Sequence, residues 1–298
     1  MLHLPNLRRD VPLAPLTTYQ IGGPADWFVE VATAAELTAA VQAARNEALP
    51  YFLLGSGANI LIGDKGFRGL VIHNRARAYE FEGDRLTAES GLTVAELLAA
   101  TTERGLSGLE HFVGIPSSLG GAIWQNLHFL APNRQSTVFI ESLVAGAVIL
   151  DETGQTGEVD RNFFQFGYDT SILHRRPLVV LAVTLNLVPK DPKDITAQAE
   201  ANLAWRRQKQ PQLDEFASCG SVFQKIEGVG AGRLIEQAGL KGRRVGQIEV
   251  STKHANYLVN RGGGKASDVR ALIELIQKEV EATSGYKLKP EIGFVGEF

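Results

Sequence analysis

YFLLGSGANILI, residues Tyr51–Ile62, decides how the chain is read. The apolar run Tyr51–Leu54 meets Gly55 as a buried strand entering a loop does. Gly55 and Gly57 flank Ser56, and a second apolar run begins at Ile60. Glycines placed so let backbone N–H groups approach an anion without interference from a Cβ, as in phosphate-binding nests. The spacing is no GxGxxG fingerprint, because Ile60 holds the sixth position. It is no P-loop either, because Asn59-Ile60 stand where Lys-Ser/Thr would. Taken alone, the stretch reads as an ordinary tight turn ahead of an anion cradle, because glycine most often marks turns.

Working outward, Trp27–Val31 reads as a strand, and Thr33 to Glu36 has capping-box spacing ahead of a helical pattern. GLVIHN (Gly69–Asn74) is a further short strand. Thr93 to Glu96 repeats the capping box before LLAATTERG. LVAGAVILDETGQTGEVD predicts two strands joined at Glu152–Gln155, and Pro177–Pro189 predicts one long buried strand. KDPK (Lys190–Lys193) is polar and Pro-bearing, which suggests a domain boundary before a helix over Ile195–Gln210. Val269, Leu272, Ile273, Ile276 and Val280 recur at helical spacing up to a stop at Gly285. The pattern is α+β in two or three lobes.

The chain has 298 residues, 44% hydrophobic and 21% charged, enough for more than one core. A net charge of -3 gives no electrostatic footprint for nucleic acid. MLHLPNLRRDVPL lacks the apolar region of a signal peptide, and no run would span a bilayer, so a cytoplasmic location with no membrane partner is expected. A single cysteine, Cys219, makes neither a disulfide nor a CxxC metal site, and no metal is expected.

A second glycine-rich loop, GIPSSLGGAIWQN, spans Gly114–Asn126. Its plain reading is a helix start after a Pro turn. Two such loops together explain a pyrophosphate held at both ends better than either does singly.

TTYQIGGPAD (Thr17–Asp26), LGSGANILI, GLEHFVGIPSSLGGA, YDTSI, RRQKQP, SCGSVFQ, STKHA and PEIGFVGE follow one another along the chain. In this order the sequence resembles the UDP-N-acetylenolpyruvoylglucosamine reductases, over roughly Leu16–Glu297 and in the compact form without an extra tyrosine loop. The resemblance implies a two-lobed FAD-binding module of the vanillyl-alcohol-oxidase type, residues 1–68 and 69–190. A C-terminal α+β substrate domain, 191–298, would follow, its last strand returning to the active site. It implies FAD and NADPH as cofactors and a UDP-linked enolpyruvyl amino sugar as substrate, in a monomer. The flavin-contacting positions would be Tyr19, Leu54, Gly55, Ser56, Gly57, Ala58, Asn59, Ile60 and Leu61. With them go Gly114, Ile115, Pro116, Ser117, Ser118, Gly120, Gly121 and Ala122.

Reduction of an enol ether needs hydride at C3, stabilisation of charge developing at C2 and its carboxylate, and a proton at C2. The resemblance assigns the proton to Ser221, with Glu291 assisting. Read without it, Ser221 is a turn or cap serine and Glu291 a solvated carboxylate. Cys219 reads as a small buried neighbour rather than a nucleophile.

Two departures stand out. Asp169 follows Tyr168 where the family has an arginine, so Arg175 or Arg176 is expected to supply the missing guanidinium. After Asn126 the chain reads LHFLAPN, with His128 and Phe129 bulkier than the family pattern. Tyr168, Lys209, Gly220, Lys225, Lys253 and His254 are the expected substrate contacts, Lys209 and Lys225 opposite the diphosphate. A flavin oxidase of the same architecture and a non-catalytic sugar-nucleotide or flavin binder are the competing classes.

Overall fold

The computed structural model describes residues 2, 4–226 and 228–298. It is α+β, as the sequence predicts, and its contacts divide into two units. The first comprises residues 1–7, 29–56 and 71–205, and the second residues 8–28, 57–70 and 206–298.

The first unit is built on a five-stranded antiparallel sheet. Its strands lie in the order Thr156–Asp160, Val144–Leu150, Val179–Asn186, Arg85–Glu89, Tyr79–Glu82. Val183 sits opposite both Ala147 and Ala88, and all three are buried, so one face of the sheet is the core face. The predicted hairpin turn is held by Asp151, whose carboxylate accepts from the amides of Thr153 (2.8 Å) and Gln155 (2.9 Å). The predicted strand Pro177–Pro189 is broken at Leu187. Val188–Pro189 leaves the sheet to pair with Leu106–Ser107, where Val188 is exposed and Pro189 does no harm to a central ladder.

Among the described residues α1 (Ala34–Asn46), α2 (Val94–Glu103) and α3 (Leu119–Gln125) lie wholly in this unit. At α2 the capping box is complete, with Glu96 N–H on the Thr93 hydroxyl and Thr93 N–H on the Glu96 carboxylate. At α1 only half forms. Thr33 accepts from Glu36 N–H, while the Glu36 carboxylate turns to the amide of Ala32, at 2.7 Å. Leu97, Phe112, Leu119, Ile123, Phe164 and Val183 pack into one core cluster.

A fourth helix, α4 (Pro192–Lys209), starts three residues before the predicted Ile195. Asp191 accepts from Lys193 N–H at 2.9 Å, so the Asp-Pro pair of KDPK is a helix cap followed by a first-turn proline. The division between units falls within this helix, after Trp205.

The second unit carries α5 (Ala231–Gln237), α6 (Ala266–Ser284) and the antiparallel strands Arg244–Val245, Ile248–Val250 and Leu258–Asn260. The predicted apolar stripe of α6 is buried at Val269, Leu272, Ile273, Ile276 and Val280, and Gly285 ends the helix at φ 75°. Asp64 reaches the start of α6, accepting from Ala266 N–H (2.7 Å) and Ser267 N–H (3.0 Å). Although burial works against it, these bonds hold the Asp64 carboxyl below its ordinary value. The C-terminal strand Gly293–Val295 pairs in parallel with Ile60–Ile62.

Candidate active site

Strand Tyr51–Leu54 delivers the first glycine loop. Gly57 has φ 62°, and a Cβ there would meet the Leu16 carbonyl oxygen at 2.1 Å, so only glycine fits. Asn59 is also left-handed, at φ 53°. None of the N–H groups of Ser56, Gly57, Ala58 and Asn59 donates to a protein acceptor among the described residues. Four consecutive undonated amides, with two of the residues in left-handed conformation, form a concavity suited to an anion. Gly57 returns its own carbonyl to the amide of Thr18, at 3.0 Å.

The second loop is arranged differently. Ser118 caps α3 and accepts from Gly121 N–H at 3.2 Å. Leu119 N–H goes to the Leu92 carbonyl (2.7 Å), Gly120 N–H to Ser90 (2.8 Å) and Ala122 N–H to Ser118 (2.8 Å). The amides from Leu119 to Ala122 are thus occupied by the protein, whereas among the described residues those of Ser117 and Ser118 donate to no protein acceptor, like the amides of the first loop. Within the first unit the two loops meet: a Cβ on Gly55 would lie 2.3 Å from the Ser118 hydroxyl. Leu54 is buried behind them, while Ile115, Pro116 and Ser117 are half-exposed.

In the second unit Tyr19 is fully buried, and its hydroxyl has no hydrogen-bond partner among the described residues. Burial, reinforced by the nearby Cys219 thiol, pushes its phenol well above the ordinary value. Asn260 fixes its backbone, donating to the Tyr19 carbonyl at 3.0 Å.

Ser221 lies between two segments of this unit. On one side it bridges to Tyr257, and Val222 N–H donates to the Asn256 carbonyl at 2.8 Å. On the other, Phe223 bridges to Pro290 and the Val222 carbonyl accepts from Glu291 N–H at 2.8 Å. Asn256 locks the segment, accepting from Phe223 N–H (3.0 Å) and donating to its carbonyl (2.9 Å). Ser221 and Glu291 are brought together in this way. Gly220 precedes the serine at φ 88° with open space around it.

Cys219 is buried, and burial, with Glu291 nearby, pushes its thiol up, so it is protonated at neutral pH. Tyr257 is buried too, and its hydroxyl is in hydrogen-bonding reach of Ser221 on one side and of the Arg206 guanidinium on the other. Nothing in the sequence singles out Tyr257. Arg206 and Arg207 look alike on α4, yet Arg206 is buried whereas Arg207 is exposed and pairs with Asp214 at 2.9 Å.

The expected basic contacts differ in what they have available. Lys209 and Lys225 are exposed and form no ion pair among the described residues. Lys253 is committed to both Glu215 oxygens, at 2.7 Å each, and to the Arg207 carbonyl. Burial lowers the His254 pKa, and its Nδ1 accepts from Asn256 N–H at 3.2 Å, which makes it a neutral turn-builder here.

In the first unit Arg175 donates to the Gln165 side chain at 2.7 Å, and Arg176 is paired with Glu152. The two departures from the family pattern prove to be one arrangement. His128 Nδ1 stands 3.5 Å from the Asp169 carboxylate, and its ring packs 4.7 Å from that of Tyr168 and 5.1 Å from Phe139. His174 stacks on Trp124 at 3.4 Å and meets the Trp124 carbonyl through Nε2, at 2.9 Å.

The family model for the C-terminal domain of UDP-N-acetylenolpyruvoylglucosamine reductase matches residues 210–295, which hold Ser221, Tyr257 and Glu291. The FAD binding domain model matches residues 25–160. The reductase of Synechococcus sp. (strain RCC307) is 40% identical over 301 residues, covering 98% of this chain and 95% of its own. This chain belongs to the UDP-N-acetylenolpyruvoylglucosamine reductase family. The Rubrobacter xylanophilus reductase is 39% identical, covering 98% of this chain and 96% of its own. The crystal structure of the Thermus caldophilus reductase superposes with a TM-score of 0.82 at 29% identity, covering 97% of this chain and 99% of that one. Among the described residues no helix is long and apolar enough to cross a membrane.

Proposed function

We propose that this protein is an FAD- and NADPH-dependent oxidoreductase that reduces the enolpyruvyl group of UDP-N-acetylglucosamine-enolpyruvate to UDP-N-acetylmuramate, a peptidoglycan precursor. The observation that carries the reading is family membership at 40% identity over nearly the whole chain. The undonated amides of Ser56–Asn59 and the glycine-only approach at Gly57 fit a bound FAD pyrophosphate. Bound FAD supplies the two-electron carrier between NADPH and the substrate.

The chain's own residues do the rest. As hydride reaches C3, the Ser221 O–H bond breaks and its proton forms the new C–H bond at C2. A positioned acid of this kind is worth about 10²–10⁴ in rate. Glu291, held beside the Ser221 segment through Val222, assists that transfer. Lys209 and Lys225 face the substrate diphosphate, with Tyr168 and Gly220 lining the sugar side and Lys253 and His254 shaping the turn. Arg175 or Arg176 supplies the guanidinium for the developing enolate charge. The enzyme acts as a cytoplasmic monomer.

The test is stoichiometric. Incubation with NADPH and the enolpyruvyl sugar nucleotide gives one product heavier by two hydrogens per NADPH oxidised. NADPH oxidation without that product, sustained by oxygen alone, contradicts the reading and favours an oxidase.

A further inference from the structure

We propose that Tyr257 is a proton-relay residue for Ser221, held in position by Arg206. The proposal rests on the reading of Ser221 as the proton donor and extends it to the question of how the serine regains its proton.

A serine hydroxyl is a poor acid, and as it gives its proton to C2 its oxygen must take up another. Tyr257 is the bridge partner of Ser221, and its hydroxyl is in hydrogen-bonding reach of the serine side chain. A phenol is a far stronger acid than an aliphatic hydroxyl, so transfer from Tyr257 to a serine oxygen that has lost its proton runs downhill. The phenolate left behind would face the guanidinium of Arg206, itself only 8% exposed and in reach of the same hydroxyl. Tyr257 is 6% exposed, so an ionised phenol there needs such a cation.

The other groups facing Tyr257 cannot take Arg206's part. The Cys219 thiol is protonated, Glu291 is a carboxyl, and the His254 ring, 5.1 Å away, is neutral. In the balanced step the Ser221 O–H bond breaks as its proton forms the C–H bond at C2, and together with it the Tyr257 O–H bond breaks as a new Ser221 O–H bond forms. Tyr257 then recovers its proton from solvent. No oxidant or further reactant is required. A ring alone would fill this space, and a buried hydroxyl is costly there unless its bonds are used.

Tyr257→Phe removes the hydroxyl and keeps the ring. In anaerobic single turnovers its flavin should be reduced by NADPH at the wild-type rate, while reoxidation by substrate slows about 10-fold or more, the worth of one such hydrogen bond. In mixtures of H2O and D2O the wild-type reoxidation rate should show a bowl-shaped proton inventory, with two protons in flight, and the variant a linear one. Wild-type reoxidation in Tyr257→Phe overturns the relay. So does slower reoxidation with the bowl-shaped inventory retained, because the hydroxyl would then be merely structural. Replacing Tyr257 by 3-fluorotyrosine, a stronger acid, should restore fast reoxidation and move the alkaline limb of its pH profile to lower pH; an unmoved limb counts against the relay. Ser221→Ala in the same assay separates the two ideas. If it reoxidises at the wild-type rate, the serine reading itself fails. If it is inactive while Tyr257→Phe behaves as wild type, only the relay fails.

Discussion

Glu291 donates its backbone N–H to the carbonyl of Val222 at 2.8 Å, which sets the glutamate beside the segment that carries Ser221. The anchor is main chain, so it survives a change of side chain. Glu291→Gln should therefore fold with a Tm close to wild type and be reduced by NADPH normally, yet reoxidise on substrate about 10–100-fold more slowly. Rapid-mixing absorbance of the flavin measures both phases. An unchanged second phase removes the carboxyl from proton transfer.

Gly57 and Gly220 both have positive φ but differ in what surrounds them. A Cβ on Gly57 meets backbone at 2.1 Å, whereas one on Gly220 meets nothing within 4 Å. Gly57→Ala should cost about 3 kcal/mol or more and lower the FAD retained on purification. Gly220→Ala should cost only the backbone strain, about 1 kcal/mol. Denaturant melts and flavin-to-protein absorbance ratios compare the two. Equal effects would mean that the close approach at Gly57 does not shape the loop.

The Cys219 thiol is raised in the folded protein, chiefly by burial. A group raised on folding contributes stability that is fully present below its unfolded value, about 8.5 for a thiol, and is lost as pH rises beyond it. Wild-type Tm should therefore fall more steeply than that of Cys219→Ala above about pH 8.5. At neutral pH that variant should keep full turnover and lose about 1 kcal/mol of packing. Loss of turnover would return the thiol to the mechanism.

Arg175 and Arg176 already have partners, Gln165 and Glu152, so serving the substrate would require exchanging them. If either supplies the guanidinium, alanine at both should slow reoxidation by about 10²-fold or more while leaving flavin reduction unchanged. Reoxidation at the wild-type rate would remove both. His128, whose Nδ1 lies 3.5 Å from the Asp169 carboxylate, would then be the next side chain to replace.

What could be read in the sequence follows contact distance along the chain. The Thr93–Glu96 capping box is legible because both partners lie on one helical turn. The α6 stripe and Gly285 are legible because period and cap are local signals. The start of α4 at Pro192 is local as well, but polar KDPK resembles a linker until Asp191 is seen to cap it. The Ser221–Tyr257–Arg206 chain and the His128–Asp169 pair depend on tertiary pairing, which has no period. Only motif order, not residue pattern, points to Ser221 and Glu291. Arg206 and Arg207 differ entirely in burial although they are adjacent and chemically identical.

If Ser221 is the acid, its loss is felt only after flavin reduction. Under anaerobic conditions NADPH should bleach the flavin of both wild type and Ser221→Ala at similar rates. Adding the enolpyruvyl sugar nucleotide should restore the oxidised spectrum of the wild type at once, and that of the variant about 10²–10⁴-fold more slowly. Recovery of the Ser221→Ala spectrum at the wild-type rate would contradict the central claim.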